Sequence, residues 1–205
     1  MTAGAPFPLP TENAGVNRAE PELSTVAAPE DGEHLLHLYD DRERFGTLLA
    51  EFVATGLANG EATIVIATTP HLAALDDALR ERNIDVGAML LQNRYLPLDA
   101  GAALEKFMRD GRPDAKLFLR MVSGLMQRAR RGGCRVRAFG EMVALLWARG
   151  EHAATLRLEH LWHALCQREG LLLLCAYPRR GFGPGTESAI AAIGAAHSRE
   201  LRFTA

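Results

Sequence analysis

The stretch from Gly56 to Leu79, GLANGEATIVIATTPHLAALDDAL, lacks what a phosphate-binding loop needs. After the β-branched run ATIVIA comes ATTPHLAAL, with neither glycine nor lysine. A polyphosphate requires glycines that let the backbone approach its oxygens, a lysine on the terminal phosphates and a hydroxyl on magnesium. Pro70 also removes one N–H from the turn that would do the cradling. ATP hydrolysis is therefore not expected here. Cysteine is scarce as well: Cys134, Cys166 and Cys175 form no CxxC and leave an odd count, which reads as reduced thiols of a cytoplasmic protein. The longest aliphatic run, LLLLCAY at 171–177, is far shorter than the roughly 20 residues of a membrane span. The opening MTAGAPFPLPTENAG has no basic patch followed by an apolar run, so it does not read as a secretory signal. A strong charge excess is missing too. Residues 1–33 hold six acids against Arg18, leaving 22 bases and 19 acids, or +3, over 34–205. That is too mild to suggest direct contact with nucleic acid.

What is present is a regular alternation of elements. Residues 1–32 are rich in Pro, Gly, Ala and acids and have no hydrophobic period, which reads as a disordered tail. A strand is expected at His34–Tyr39, with Asp40 or Asp41 capping a helix that carries Phe45, Leu48, Leu49, Phe52 and Val53 on one stripe. Gly56 and Gly60 are candidate stops for that helix. The strand ATIVIA leads to a helix through Arg82, with Thr69 as N-cap and Pro70 as its first residue. RYLPLD reads as a strand with Asp99 opening a helix that ends at RDGRPD, and residues 114–131 as a further helix. CRVRAF, GEMVALLWARG, HAATLRLEHLWHALCQREG and LLLLCAY continue as strand, helix, helix and strand. A glycine-rich loop, RRGFGPGTES, precedes a helix ending near His197, with residues 200–205 as a tail. Strands spaced in this way predict a single α/β domain over 33–199, three layers deep, with a largely parallel sheet.

The order HLLHLYDD, GLANGEATIVIAT, YLPLD with ALEKFMRDGRPD, VRAFGEMVALLWARG, LRLEHLWHAL, LLLLCAYP and IGAAHS resembles the MEDS domain, the sensory domain of methanogen and methylotroph regulators. The resemblance spans roughly residues 34–198. It implies a RecA-like or KaiC-like core without the phosphate loop. It further implies a non-catalytic sensor of small hydrocarbon derivatives that signals to a histidine kinase, a sigma-factor regulator or a transcription regulator. No cofactor follows from it. A residual nucleotide binder and a ligand-free interaction scaffold are the alternatives from other functional classes.

In open α/β sheets, ligands sit beyond the carboxyl ends of the strands. On that rule, and with the resemblance, the expected ligand-binding residues are His37, Tyr39, Thr68, Thr69, Glu141, Tyr177 and His197. Glu141 follows a buried strand, where ATPases of this architecture place a metal-positioning acid. Tyr177 offers an aromatic wall with a polar tip. Glu159, His160 and His163 share the LEHLWHAL helix, but with no HExxH and no third ligand nearby they read as a solvated charge pair over a stripe of Leu156, Leu161, Trp162 and Leu165. No catalytic residue and no metal ligand is assigned. The five arginines between 128 and 137 read as helix-terminal cations or a docking point for an acidic segment, and the 178–186 loop as a flexible lid.

Overall fold

The computed structural model describes residues 30–201. Most of the expected tail, residues 1–29, lies outside this range, as do 202–205. Six strands form one sheet: β1 (His34–Tyr39), β2 (Ala62–Ala67), β3 (Tyr95–Asp99), β6 (Val136–Gly140), β7 (Leu172–Pro178) and β8 (Arg199–Leu201). Their spatial order is β3-β2-β6-β7-β1-β8, and every neighbouring pair is parallel. A parallel sheet needs crossover helices, and these bury both faces. β2 is accordingly buried at all six positions. The domain has three layers, as the alternation of elements predicts.

Alternating side chains divide the core in two. Against one face pack α1 (Arg42–Ala58), α2 (Thr69–Glu81) and α3 (Val86–Leu91), which meet Leu35, Val65, Phe139, Leu174 and Ala176 of the strands. Against the other lie α4 (Ala100–Phe107), α5 (Ala115–Ala129), α6 (Met142–Ala148), α7 (His152–Glu169) and α8 (Glu187–Ala195), covering Leu36, Ile64, Ile66, Ala138, Leu173, Cys175 and Tyr177. Aspartates start four of the helices, α1, α3, α4 and α5. Asp41 accepts from the Glu43 and Arg44 amides, Asp85 from Ala88, Asp99 from Ala102 and Asp114 from Leu117.

Several local expectations shift. The N-cap of α2 is Thr68, one residue earlier than expected, because Pro70 has no N–H and fits the first turn at its second position equally well. α4 stops at Phe107, and the chain makes a small hairpin, β4 (Met108–Arg109) with β5 (Arg112–Pro113), over the positive-φ pair Asp110–Gly111. Gly56 does not end α1. A Cβ there would meet the Arg137 side chain at 2.6 Å, so the glycine makes room for the buried Arg137–Glu61 pair, while Gly60, at φ 81°, follows the helix end. Residues 199–201, expected at the border of a tail, form β8 on the free edge of β1. The six-residue α3 has too short a period to be visible in the sequence alone.

Candidate ligand-binding site

The sheet has a point where crossovers diverge. β2 feeds α2 on one face, while its neighbour β6 feeds α6 on the other. In open α/β sheets such a point, beyond the carboxyl ends of the strands, is where ligands bind. Glu141, the first residue after β6, lies at it. Its amide donates to Ile66 O (2.8 Å), and its side chain turns across to α2. There Oε2 accepts from the Thr68 amide (2.7 Å) and Oε1 lies 2.9 Å from His71 Nδ1. A carboxylate of the protein thus holds the position at the α2 N-terminus that a bound anion would take. The hydrogen bond to Glu141 raises the His71 imidazole above its ordinary pKa, against the opposing effect of burial.

An aromatic wall backs this pair. Tyr39 stacks on Phe45 with ring centres 4.4 Å apart, and Phe45 meets His71 edge-on at 5.6 Å and Phe139 at 5.7 Å. Burial, with a contribution from the Glu141 charge, raises the Tyr39 phenol. Tyr39, Thr68 and His71 keep partial exposure. These strand ends therefore bring together one carboxylate, one imidazole and an aromatic wall. Thr69 faces the next strand instead, donating its hydroxyl to Asp99 Oδ2 (2.8 Å). His37 shares the Tyr39 side of β1, stacking at 6.2 Å, and its Nδ1 lies 3.1 Å from Leu201 O. Burial lowers its pKa, and its bond to Leu201 ties β8 to β1.

Tyr177 and His197 do not join this group. Both lie on the opposite face of the sheet, under α7, so the seven residues expected around one pocket fall into two groups. Tyr177 is fully buried and donates its hydroxyl to Glu159 Oε1. The His197 ring lies tilted against the His34 ring, centres 3.9 Å apart, and its Nδ1 donates to Ile193 O (2.7 Å). His34 in turn donates from Nδ1 to Ala196 O (3.0 Å), since only the protonated nitrogen can face a carbonyl. Glu159, read from the sequence as solvated, has no exposure at all. The buried stripe of α7 runs through Thr155, Leu158, Glu159, Trp162, Leu165 and Cys166, which is regular helical spacing. The spacing already contained Glu159; its charge argued, wrongly, for solvent. Burial opposes ionisation of Glu159, but His197, His34 and Tyr177 around it hold its carboxyl below the ordinary value. Burial together with the Glu159 charge pushes the Cys175 thiol and the Tyr177 phenol well up.

The loop after β7 is pinned where it begins. Trp147 Nε1 donates to Gly181 O (2.8 Å), Phe182 packs against Trp147 and Tyr177, and Arg179 reaches Asp40 and Glu200. The arginines expected as a patch are dispersed. Arg128 bonds Asn93, Arg130 pairs with Glu169, Arg135 with Asp31, and Arg137 is buried against Glu61. A groove lined by Ser123, Met126, Gln127, Arg130, Leu165 and Glu169 between α5 and α7 shares no residue with either polar cluster.

Among the described residues no helix is long and apolar enough to cross a membrane. Comparison with curated proteins gives no match. Comparison with protein families matches residues 33–197 to MEDS, the MEthanogen/methylotroph, DcmR Sensory domain. The match spans every strand of the sheet except β8 and includes both polar clusters. The chain belongs to the MEDS family of sensory domains.

Proposed function

We propose that this sensory domain binds a small, mostly apolar molecule carrying one hydrogen-bond donor beyond the carboxyl ends of β2 and β6, and that occupancy is relayed to a separate regulatory protein such as a histidine kinase or sigma-factor regulator. The observation that carries the reading is the Glu141–His71 pair: a polar couple, partly open to solvent, at the diverging strand ends and against the Tyr39–Phe45 wall. Apolar lining with a few converging polar groups is the usual composition of a small-molecule site. Glu141 presents acceptor lone pairs, which favours a donor such as a hydroxyl or amine and disfavours an anion. The same geometry weighs against a residual nucleotide site, because the Thr68 amide at the α2 N-terminus is already bonded to Glu141. A ligand shifts an equilibrium only by its differential affinity, so the relay would pass through the α2 N-terminus, which Glu141 bridges to β6.

The test is thermal shift and calorimetric titration across short alcohols, amines, halocarbons and carboxylates. The expected result is a saturable stabilisation by donor-bearing apolar compounds that Glu141→Ala abolishes. Indifference of the folded wild-type chain to the whole series would defeat the proposal. Capture of a regulator regardless of any compound would favour a scaffold.

A further inference from the structure

Under α7, on the face of the sheet away from the Glu141–His71 pair, four side chains from distant parts of the chain converge. His34 comes from β1, Glu159 from α7, Cys175 from β7 and His197 from the turn between α8 and β8. They bring one donor atom each to within 4.8 Å of one another. We propose that these four residues form a tetrahedral site for a divalent transition-metal ion of the zinc class, bound through His34 Nε2, His197 Nε2, Glu159 Oε2 and Cys175 Sγ.

Three of the six separations match the spacing of ligands around one ion. Ligands about 2.0–2.3 Å from a tetrahedral zinc stand roughly 3.3–3.8 Å apart. Here His34 Nε2 lies 3.3 Å from Glu159 Oε2 and 3.3 Å from Cys175 Sγ, and His197 Nε2 lies 3.6 Å from Glu159 Oε2. The last distance is too long for a hydrogen bond and suits two ligands of one ion. Both of its atoms are buried and have no hydrogen-bond partner among the described residues. Unpartnered buried acceptors are rare in folded proteins because each costs its full desolvation energy.

The surroundings are those of a metal site. Each histidine donates its Nδ1 hydrogen to a backbone carbonyl, Ala196 O for His34 and Ile193 O for His197. That leaves both Nε2 lone pairs turned inward, the arrangement by which ligating histidines are oriented. The other oxygen of Glu159 is held by the Tyr177 hydroxyl. His163, whose buried Nδ1 has no partner among the described residues, stands beside the cluster with its ring 6.0 Å from His34. Charge balances as well: a divalent ion with one thiolate and one carboxylate is neutral, which suits a site whose four residues are all buried. With four protein ligands and no open position, the ion would be structural. It would clamp the α8–β8 turn onto β1, β7 and α7.

Cobalt(II) titration of the full, tag-free, metal-stripped chain reads ligand set and geometry directly. The expected outcome is one ion per chain, with intense visible bands of tetrahedral cobalt, a thiolate-to-cobalt charge-transfer band and displacement by zinc. Cys134→Ser with Cys166→Ser should keep the charge-transfer band. Cys175→Ser should lose it, and Glu159→Gln and His197→Gln should each weaken binding at least about tenfold. Zinc should also raise the melting temperature of the wild-type chain. A wild-type chain, shown folded by circular dichroism, that takes up neither cobalt nor zinc would overturn the assignment and leave a proton-sharing buried cluster. A cobalt spectrum unchanged by Cys175→Ser would overturn it too.

Discussion

Glu141 shows how one side chain can join two elements that are separate in sequence. Its carboxylate satisfies the Thr68 amide at the start of α2 and pairs with His71, although its own backbone begins α6. The pair gives a pH-dependent contribution whose sign is fixed. The folded pKa of His71 is raised, chiefly by the bond to Glu141. Its stabilisation is therefore fully present below the ordinary histidine value of about 6.5 and fades as pH rises through the folded value. His71→Ala should cost about 1 kcal/mol at pH 6, discounted for partial exposure, and distinctly less at pH 9. Urea melts at the two pH values check this, and an equal loss at both would remove the charged pair. On the far face, Tyr177→Phe removes the donor to a carboxylate oxygen that no solvent reaches. A loss of about 1–3 kcal/mol is expected in the same melts.

At the scale of elements, α1 and the first half of the sheet are joined by a buried ion pair. Arg137 on β6 grips Glu61 with two hydrogen bonds of 2.5 and 2.9 Å, donates to Phe52 O and lies over the Phe52 ring. Removing one partner strands a buried charge, so Glu61→Ala should destabilise by about 3–5 kcal/mol in equilibrium unfolding. Gly56→Ala places a methyl where the Arg137 side chain runs and should cost about 1–3 kcal/mol by crowding it aside. Gly46→Ala, on the same helix with nothing among the described residues within 4 Å of the added methyl, is the control that isolates helix propensity and should stabilise by about 0.5–1 kcal/mol. β8 covers the edge of β1, with His34 and His37 bonded to its backbone or the turn before it. A chain ended at Ser198 leaves that edge open and should self-associate, visible as early elution and increased light scattering. If the shortened chain stays monomeric, β8 is not what protects the edge.

At the scale of the molecule, the polar groups sort by layer. The Glu141–His71 couple opens on the side of α1 and α2, and the His34–Glu159–Cys175–His197 cluster is enclosed on the side of α7. Much of this was legible in the sequence. The strands at 34–39, 62–67, 95–99 and 172–178 and the long helices follow from runs and periods only a few residues wide. Asp41, Asp99 and Asp114 mark helix starts by chemistry that acts within one turn. β4, β5 and β8 were not legible, because two- and three-residue strands exist only through the partner they pair with. Glu159 was misplaced because a charge on a helix usually means solvent, and only the layout of the layer supplies enough partners to bury it.

The amino-acid sequence by itself determined the alternation of strand and helix, the three-layer α/β class and a loop after β2 with neither glycine nor lysine. These rest on interactions between residues close along the chain. Strand order and crossover sense decided the rest: that Tyr39 and Glu141 share one face while Tyr177 and His197 share the other, and that positions 34, 159, 175 and 197 meet at all. Such proximity arises from the register of six strands and the side of the sheet each helix takes, and no local stretch of sequence contains that information.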